Sequence, residues 1–232
     1  MNRTRLALAR VNYSQLYEVY DGGKTYTQRD VLVPYQLLAL AAYAREHGAE
    51  VAIFDGEADL LREEGLARRI IEWRPDIVGL TATTPDIDLA LDVCRLIKAM
   101  DPAVATVVGG IHATVMPEDV AGHPHVDYVV AGDGEGALVD IVARGRGGDR
   151  TAAARSGRAE IIRGSPAQDL SALPMPAHDL LDYSKYQFTD PTLGRCNTAT
   201  VMSSRGCPFE CTFCFQPWGR HFRSHSVSFV MD

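Results

Sequence analysis

Over its first 145 residues the chain alternates short apolar runs with stretches of helical periodicity, and few folds accommodate that order. Leu6 to Val11, Val51 to Asp55, Ile77 to Thr81, Ala105 to Val108 and Tyr128 to Ala131 read as strands. Between them, Pro34 to Glu46, Asp59 to Trp73, Asp86 to Met100, a short segment from Pro117, and Glu135 to Arg144 read as helices. Strands separated by helical crossovers pair in parallel, with the helices covering the sheet. The punctuation agrees: Gly48 follows a helix, Pro75 precedes a strand and Pro85-Asp86 opens a helix. Five strands and five helices predict an α/β, flavodoxin-like doubly wound parallel sheet over residues 1–145.

The composition then changes. Arg144 to Arg158, with four glycines and three consecutive alanines, predicts an exposed loop that opens a linker and connector over residues 146–190. Within it, Glu160 to Arg163 has the pattern of a short strand. Leu173-Pro174-Met175-Pro176 reads as extended, since a residue before proline is pushed out of helix. Thr198 to Ser203 is β-prone, and Val227 to Asp232 resembles a helix start.

The chemistry-bearing feature follows. Cys207, Cys211 and Cys214 form a Cys-x3-Cys-x2-Cys triplet within Arg205-Gly206-Cys207-Pro208-Phe209-Glu210-Cys211-Thr212-Phe213-Cys214. A four-iron, four-sulfur (4Fe-4S) cluster has four iron corners, and closed electron-transfer clusters hold all of them with cysteine. Three thiolates leave one iron open to bind something else. The competing explanations ask for other residues. A structural zinc site wants four ligands, which here would enlist His221. A disulfide framework fits poorly with five cysteines and no secretion signal. Cys94 lies in a helical pattern and reads as a small buried hydrophobe, and Cys196 as a spare thiol in a loop.

Composition narrows the function classes. A net charge of −7 argues against a general nucleic-acid binder, and no apolar run approaches a membrane span. Arg10 breaks the run Leu6-Ala7-Leu8-Ala9 too early for a secretory signal. Cytoplasmic residence is therefore expected, and it suits an oxygen-sensitive cluster.

Ser203 to Cys214 resembles the cluster loop of radical S-adenosylmethionine (SAM) enzymes. The resemblance implies that Cys207, Cys211 and Cys214 hold a 4Fe-4S cluster and that SAM chelates the open iron. Phe213, before the last cysteine, would pack near the adenine, and cleavage of SAM would yield a radical that attacks a small-molecule substrate. It implies also an electron donor such as flavodoxin or ferredoxin. The cofactors carry the hard chemistry; the protein ligates, orients and shields. On this reading residues 191–232 are the N-terminal start of a radical SAM β/α barrel whose remaining strands are not in this sequence.

In a doubly wound sheet ligands bind beyond the carboxyl ends of the strands, near the switch in strand order. The loops there are Asn12 to Asp30, Ala82 to Pro85, Gly109 to Thr114 and Gly132 to Gly136. Gly109-Gly110-Ile111-His112-Ala113-Thr114 with Pro117-Glu118 resembles a segment of the cobalamin-binding domains fused to radical SAM barrels. Thr81 and Thr83 stand where that fold carries a Ser-x-Leu motif, and Gly132-Asp133-Gly134-Glu135 also fits the fused family. The resemblance makes Thr81, Thr83, Gly109, Gly110, His112, Gly132 and Glu135 candidate contacts for cobalamin. The Asp-x-His-x-x-Gly segment that supplies a histidine to cobalt in other cobalamin domains is absent, as in many radical SAM members.

Blander readings stand beside these. Paired glycines can merely permit a turn, and Glu135 can merely favour a helix N-terminus. Arg205, Arg220, His221 and Arg223 read foremost as a solvated basic face, and second as groups that orient anions near the cysteines. The leading function is the N-terminal portion of a cobalamin-type radical SAM enzyme performing methyl transfer or another radical step. The alternatives are a non-catalytic cofactor-binding remnant and an electron-transfer protein.

Overall fold

Six strands, β1 (Arg5–Arg10), β2 (Glu50–Asp55), β3 (Ile77–Thr81), β4 (Ala105–Gly109), β5 (Tyr128–Ala131) and β6 (Glu160–Arg163), form one sheet in the computed structural model. The structure describes residues 3–14, 31–146, 157–190, 194–197, 200–216 and 221–231. The spatial order is β2-β1-β3-β4-β5-β6, and every pairing is parallel. Helices α1 (Tyr35–Glu46), α2 (Glu63–Glu72), α3 (Ile87–Met100), α4 (Ile111–Val115), α5 (Pro117–Ala121) and α6 (Glu135–Arg146) follow the first five strands.

Parallel strands are buried on both faces, and β1 shows how this sequence meets that demand. Successive side chains point to opposite faces, so Leu6 and Leu8 share one face and Ala7 and Ala9 the other. The leucines pack with Leu37 and Ala41 of α1 and Leu138 and Ile141 of α6. The alanines meet the bulkier Leu66 and Ile70 of α2 and Leu91 and Cys94 of α3. Each such Leu or Ile, fully buried, contributes about 1.5–3 kcal/mol. Cys94 is part of this core, and burial pushes its thiol up to about 12, so it is inert.

Three local features depart from the expected elements. Helix α2 begins at Glu63, not Asp59, because the Asp55 carboxylate accepts the Glu57 and Ala58 amides (3.0 and 3.2 Å) and holds a turn there. A further helix, α4, follows Gly110. At the start of α3, Thr84–Asp86 is a 3-10 turn closed by Thr83 and Asp86.

The connector is not a free linker. Glu160–Arg163 is the sixth strand of the sheet, pairing with β5, so a boundary at 145 would divide the sheet. Much of the Arg144–Arg158 stretch lies outside the described residues. Beyond β6, residues 164–186 lie against the domain. The Ala177 amide donates to Leu38 O (3.1 Å), Arg45 pairs with Asp179 (2.8 Å) and Lys185 with Asp59 (2.6 Å). Tyr186 is 2% exposed and its hydroxyl donates to Asp55 Oδ2 (2.8 Å), whose carboxylate the Arg10 guanidinium grips at 2.7 and 2.9 Å. Burial, reinforced by Asp55, pushes the Tyr186 phenol far up, so it stays a neutral donor.

The tail forms two antiparallel ribbons, β7 (Gln187–Asp190) with β8 (Gly194–Asn197) and β9 (Ser204–Arg205) with β10 (Arg223–Ser224), then α7 (Val227–Met231). Of the β-prone run, residues 198 and 199 lie outside the described residues and 200–203 are irregular. Among the described residues no helix is long and apolar enough to cross a membrane.

If the connector is part of the folded unit, Tyr186→Ala destabilises the whole sheet by about 3–5 kcal/mol, the usual cost of deleting a buried aromatic. Urea unfolding followed by far-ultraviolet circular dichroism measures this. A midpoint shift equivalent to under about 0.5 kcal/mol, as for a surface change, would instead mark the connector as peripheral.

Candidate functional site

The order of the sheet reverses between β1 and β3, and a cavity of about 510 Å³ opens at the carboxyl ends of these strands. Its floor is Leu8, Gly79, Leu80, Val107 and Val130; Tyr35, Leu37 and Leu40 of α1 and Leu138 of α6 form one side. The rim is the three loops after β3, β4 and β5. The last wall comes from the tail, as Met202, Ser204, Arg205, Gly206 and Arg223. Glycines at 79, 109, 110, 132 and 134 line it, so backbone is open to a flat ligand at many points. Gly110 is required for the shape: its φ is +97°, and a Cβ there would sit 2.6 Å from Ala82 O and 2.8 Å from Thr81 Oγ1.

Of the residues singled out in the sequence, Thr81, Thr83, Gly109, Gly110, Gly132 and Glu135 line this cavity. His112 does not. It is 3% exposed in α4, with Nδ1 3.2 Å from Thr84 Oγ1 and Nε2 3.3 Å from Asp119 Oδ2. Both ring nitrogens are engaged inside the domain, which removes His112 as a cavity contact. Thr83 caps the turn that follows it: its amide and hydroxyl both donate to Asp86 Oδ1 (2.5 and 2.9 Å). Its hydroxyl oxygen retains acceptor capacity.

The basic residues near the cysteines depart further from the expected solvated face. Arg205 and Arg223 are not a solvated face; Arg223 is 6% exposed. Arg205 pairs with Glu135 Oε1 (2.6 Å) and lies 3.6 Å from Asp133, while Arg223 Nη1 donates to Asp133 Oδ2 (2.9 Å) and Ala167 O (2.8 Å). Burial disfavours the Arg205 charge, yet the hydrogen bond and attraction of Glu135, with Asp133 behind it, hold its pKa above the ordinary value. Tyr35 stands among these charges. Burial raises its phenol, with Arg205 opposing and Glu135 assisting, so it presents a neutral hydroxyl at the cavity. The sequence assigns none of Asp133, Tyr35, Arg205 or Arg223 to this site; an acid between two glycines is the one available hint. His221 is exposed and Arg220 lies outside the described residues.

The thiols share one loop. Cys207 is half-buried, Cys211 and Cys214 are exposed, and the Cys214 amide donates to Cys211 O (3.1 Å) in a tight turn. Gly206, at φ +80°, lets the ribbon close, since a Cβ there would collide with His221 O. Among the described residues no three His, Cys, Asp or Glu side chains converge on a metal-sized point. The loop thus offers three accessible soft donors in eight residues without pre-gathering them. Phe213 is 91% exposed, and Cys196 lies apart on β8.

Fold and cavity together define a doubly wound α/β ligand-binding domain, open at the carboxyl ends of its strands. The chain belongs to the B12 binding domain family, whose model matches residues 27–142. It is 35% identical over 209 residues to an uncharacterized methyltransferase of Pyrococcus horikoshii, covering 86% of this chain and 44% of that one. It is 32% identical over 213 residues to the anaerobic magnesium-protoporphyrin IX monomethyl ester cyclase of Rubrivivax gelatinosus, covering 86% and 38%. The chain thus spans less than half the length of these relatives. In fold it is similar to the radical S-adenosylmethionine methyltransferase TsrM of Kitasatospora setae, solved with cobalamin and a 4Fe-4S cluster bound. The TM-score is 0.63 at 17% identity, over 99% of this chain and 45% of that one.

Gly110→Ala is expected to cost at least about 1–2 kcal/mol from backbone strain alone, with the clash against Ala82 in addition. A thermal melt beside Gly136→Ala, whose Cβ would meet open space, checks it. Equal melting temperatures for the two variants would contradict the geometry.

Proposed function

We propose that this chain is the N-terminal part of a cobalamin-dependent radical SAM enzyme, acting on a small molecule by methyl transfer or a related radical step. One observation carries the reading. The residues that close the cavity, Ser204 to Gly206, run directly into Cys207. A ligand in the cavity and a group held by the thiols would therefore be neighbours, as two cooperating cofactors must be.

The cavity fits a corrinoid in kind. Its walls are largely apolar, its glycines keep side chains away from a flat macrocycle, and its charges on the tail side are paired among themselves. Among the described residues no imidazole lines it, and residues 12–30, which follow β1, contain no histidine. Cobalamin would accordingly be held without a histidine from this cavity, by shape, backbone groups and the hydroxyls of Thr81, Thr83 and Tyr35. Cys207, Cys211 and Cys214 would hold a 4Fe-4S cluster, with SAM at the open iron and Phe213 beside its adenine. When bound, the cluster supplies the electron that cleaves SAM and the corrinoid supplies methyl carriage. The relatives include an uncharacterized methyltransferase and a cyclase, which is why the proposal covers methyl transfer and a related step alike. An external electron donor such as flavodoxin or ferredoxin and a cytoplasmic setting complete the proposal.

Anaerobic reconstitution followed by iron and sulfide analysis tests it. Ala at any of Cys207, Cys211 or Cys214 should remove most of the iron, whereas Cys94→Ala should retain it. Hydroxocobalamin binding, followed by its visible spectrum, should be lost in Gly134→Phe, which fills the cavity. A cluster retained in Cys211→Ala, or cobalamin bound equally by both forms, would overturn the corresponding half of the assignment.

A further inference from the structure

The cysteine loop is the connection of a hairpin. Strands β9 and β10 are two residues each, and the chain between them carries all three thiols. A ribbon this short gains little from its own hydrogen bonds, and closing the intervening loop costs entropy. Its composition makes matters worse. Arg205 and Arg223 are directly opposite each other in the antiparallel register, where like charges repel.

What offsets this comes from the first module. Asp133 Oδ2 reaches both guanidinium groups, at 2.9 Å from Arg223 and 3.6 Å from Arg205, and Glu135 takes Arg205 at 2.6 Å. Both carboxylates are buried, Asp133 in the turn after β5 and Glu135 at the first position of α6. Secondary ties exist, from Arg223 to Ala167 O and from the Ser226 amide to Ser171 Oγ (2.7 Å), but both are to neutral acceptors. In buried surroundings the ion pairs dominate.

We propose that Asp133 and Glu135 are positioning residues for the cysteine loop: bridging the cross-strand arginine pair, they clamp the base of the hairpin onto the B12-type domain. Resting on the cluster reading for its use, the clamp fixes where Cys207 leaves the cavity wall. It also makes the hairpin's order depend on a turn some seventy residues earlier in the chain, between Asp133 and Arg205.

Hydrogen exchange of the full chain without metal tests the clamp itself. In Asp133→Asn, peptides spanning residues 203–205 and 223–225 should exchange about ten- to a hundredfold faster, the range a charge-assisted hydrogen bond is worth. Peptides of β1 and β3 should keep their protection. Arg205→Lys should retain most of the ribbon's protection and Arg205→Met should lose it. Unchanged ribbon exchange in Asp133→Asn, or acceleration spread equally over the sheet, would overturn the proposal. Iron retention is a separate readout. A wild-type chain that takes up no iron but shows the expected exchange pattern refutes the cluster reading while supporting the clamp. Iron taken up by both forms and released to a chelator equally fast by the wild-type chain and by Asp133→Asn counts against the clamp.

Discussion

A parallel sheet must be covered on both faces, and most of this structure is a response to that constraint. The helices cover what they can, α1 and α6 on one side and α2 and α3 on the other. Cover fails where the strand order reverses, because connections leave β1 and β3 in opposite directions along the sheet. The cavity is the gap that results. Its floor is the same apolar strand set that builds the core, which is why a ligand there meets Leu8, Val107 and Val130.

The tail closes that gap with charge rather than with grease. Taking four charges out of water is costly, and the repayment depends on close geometry and on further hydrogen bonds. Asp133, Glu135, Arg205 and Arg223 sum to zero, with close contacts from Arg205 to Glu135 and from Arg223 to Asp133 and one further bond from Arg223 to Ala167 O, while Arg223 Nε is buried without a partner among the described residues. Ionic closure is directional. An apolar lid could settle in several registers, whereas a guanidinium at 2.6 Å from Glu135 admits essentially one position for the strand that bears it.

How far the sequence foretold this depends on the range of each interaction. Strands β1 to β5 were legible because their apolar runs are local signals, and the helices because their periodicity is. Helix α4 was not, since five residues after paired glycines carry no periodic pattern. The connector has the local pattern of a linker because Tyr186 and Asp55 are 131 residues apart, and nothing nearby in sequence announces their bond. Arg205 and Arg223 looked like surface basics for the same reason; Arg223 finds Asp133 across 90 residues. His112 sat in a persuasive motif, but a motif does not say which way a helical side chain turns. The Cys-x3-Cys-x2-Cys spacing is legible because it is a local pattern, whereas among the described residues the fold leaves its three thiols on one loop without gathering them.

The cavity wall contributed by Met202 to Gly206 has a consequence for how such a protein can be recombined. The domain that binds and the segment that bears thiols look like separable modules when drawn along the chain. In space, one pocket is built from both sides of the connector, so a hybrid joined at the connector would inherit a vessel with one wall from a stranger. Only partners bringing matching acid and arginine positions would seal it.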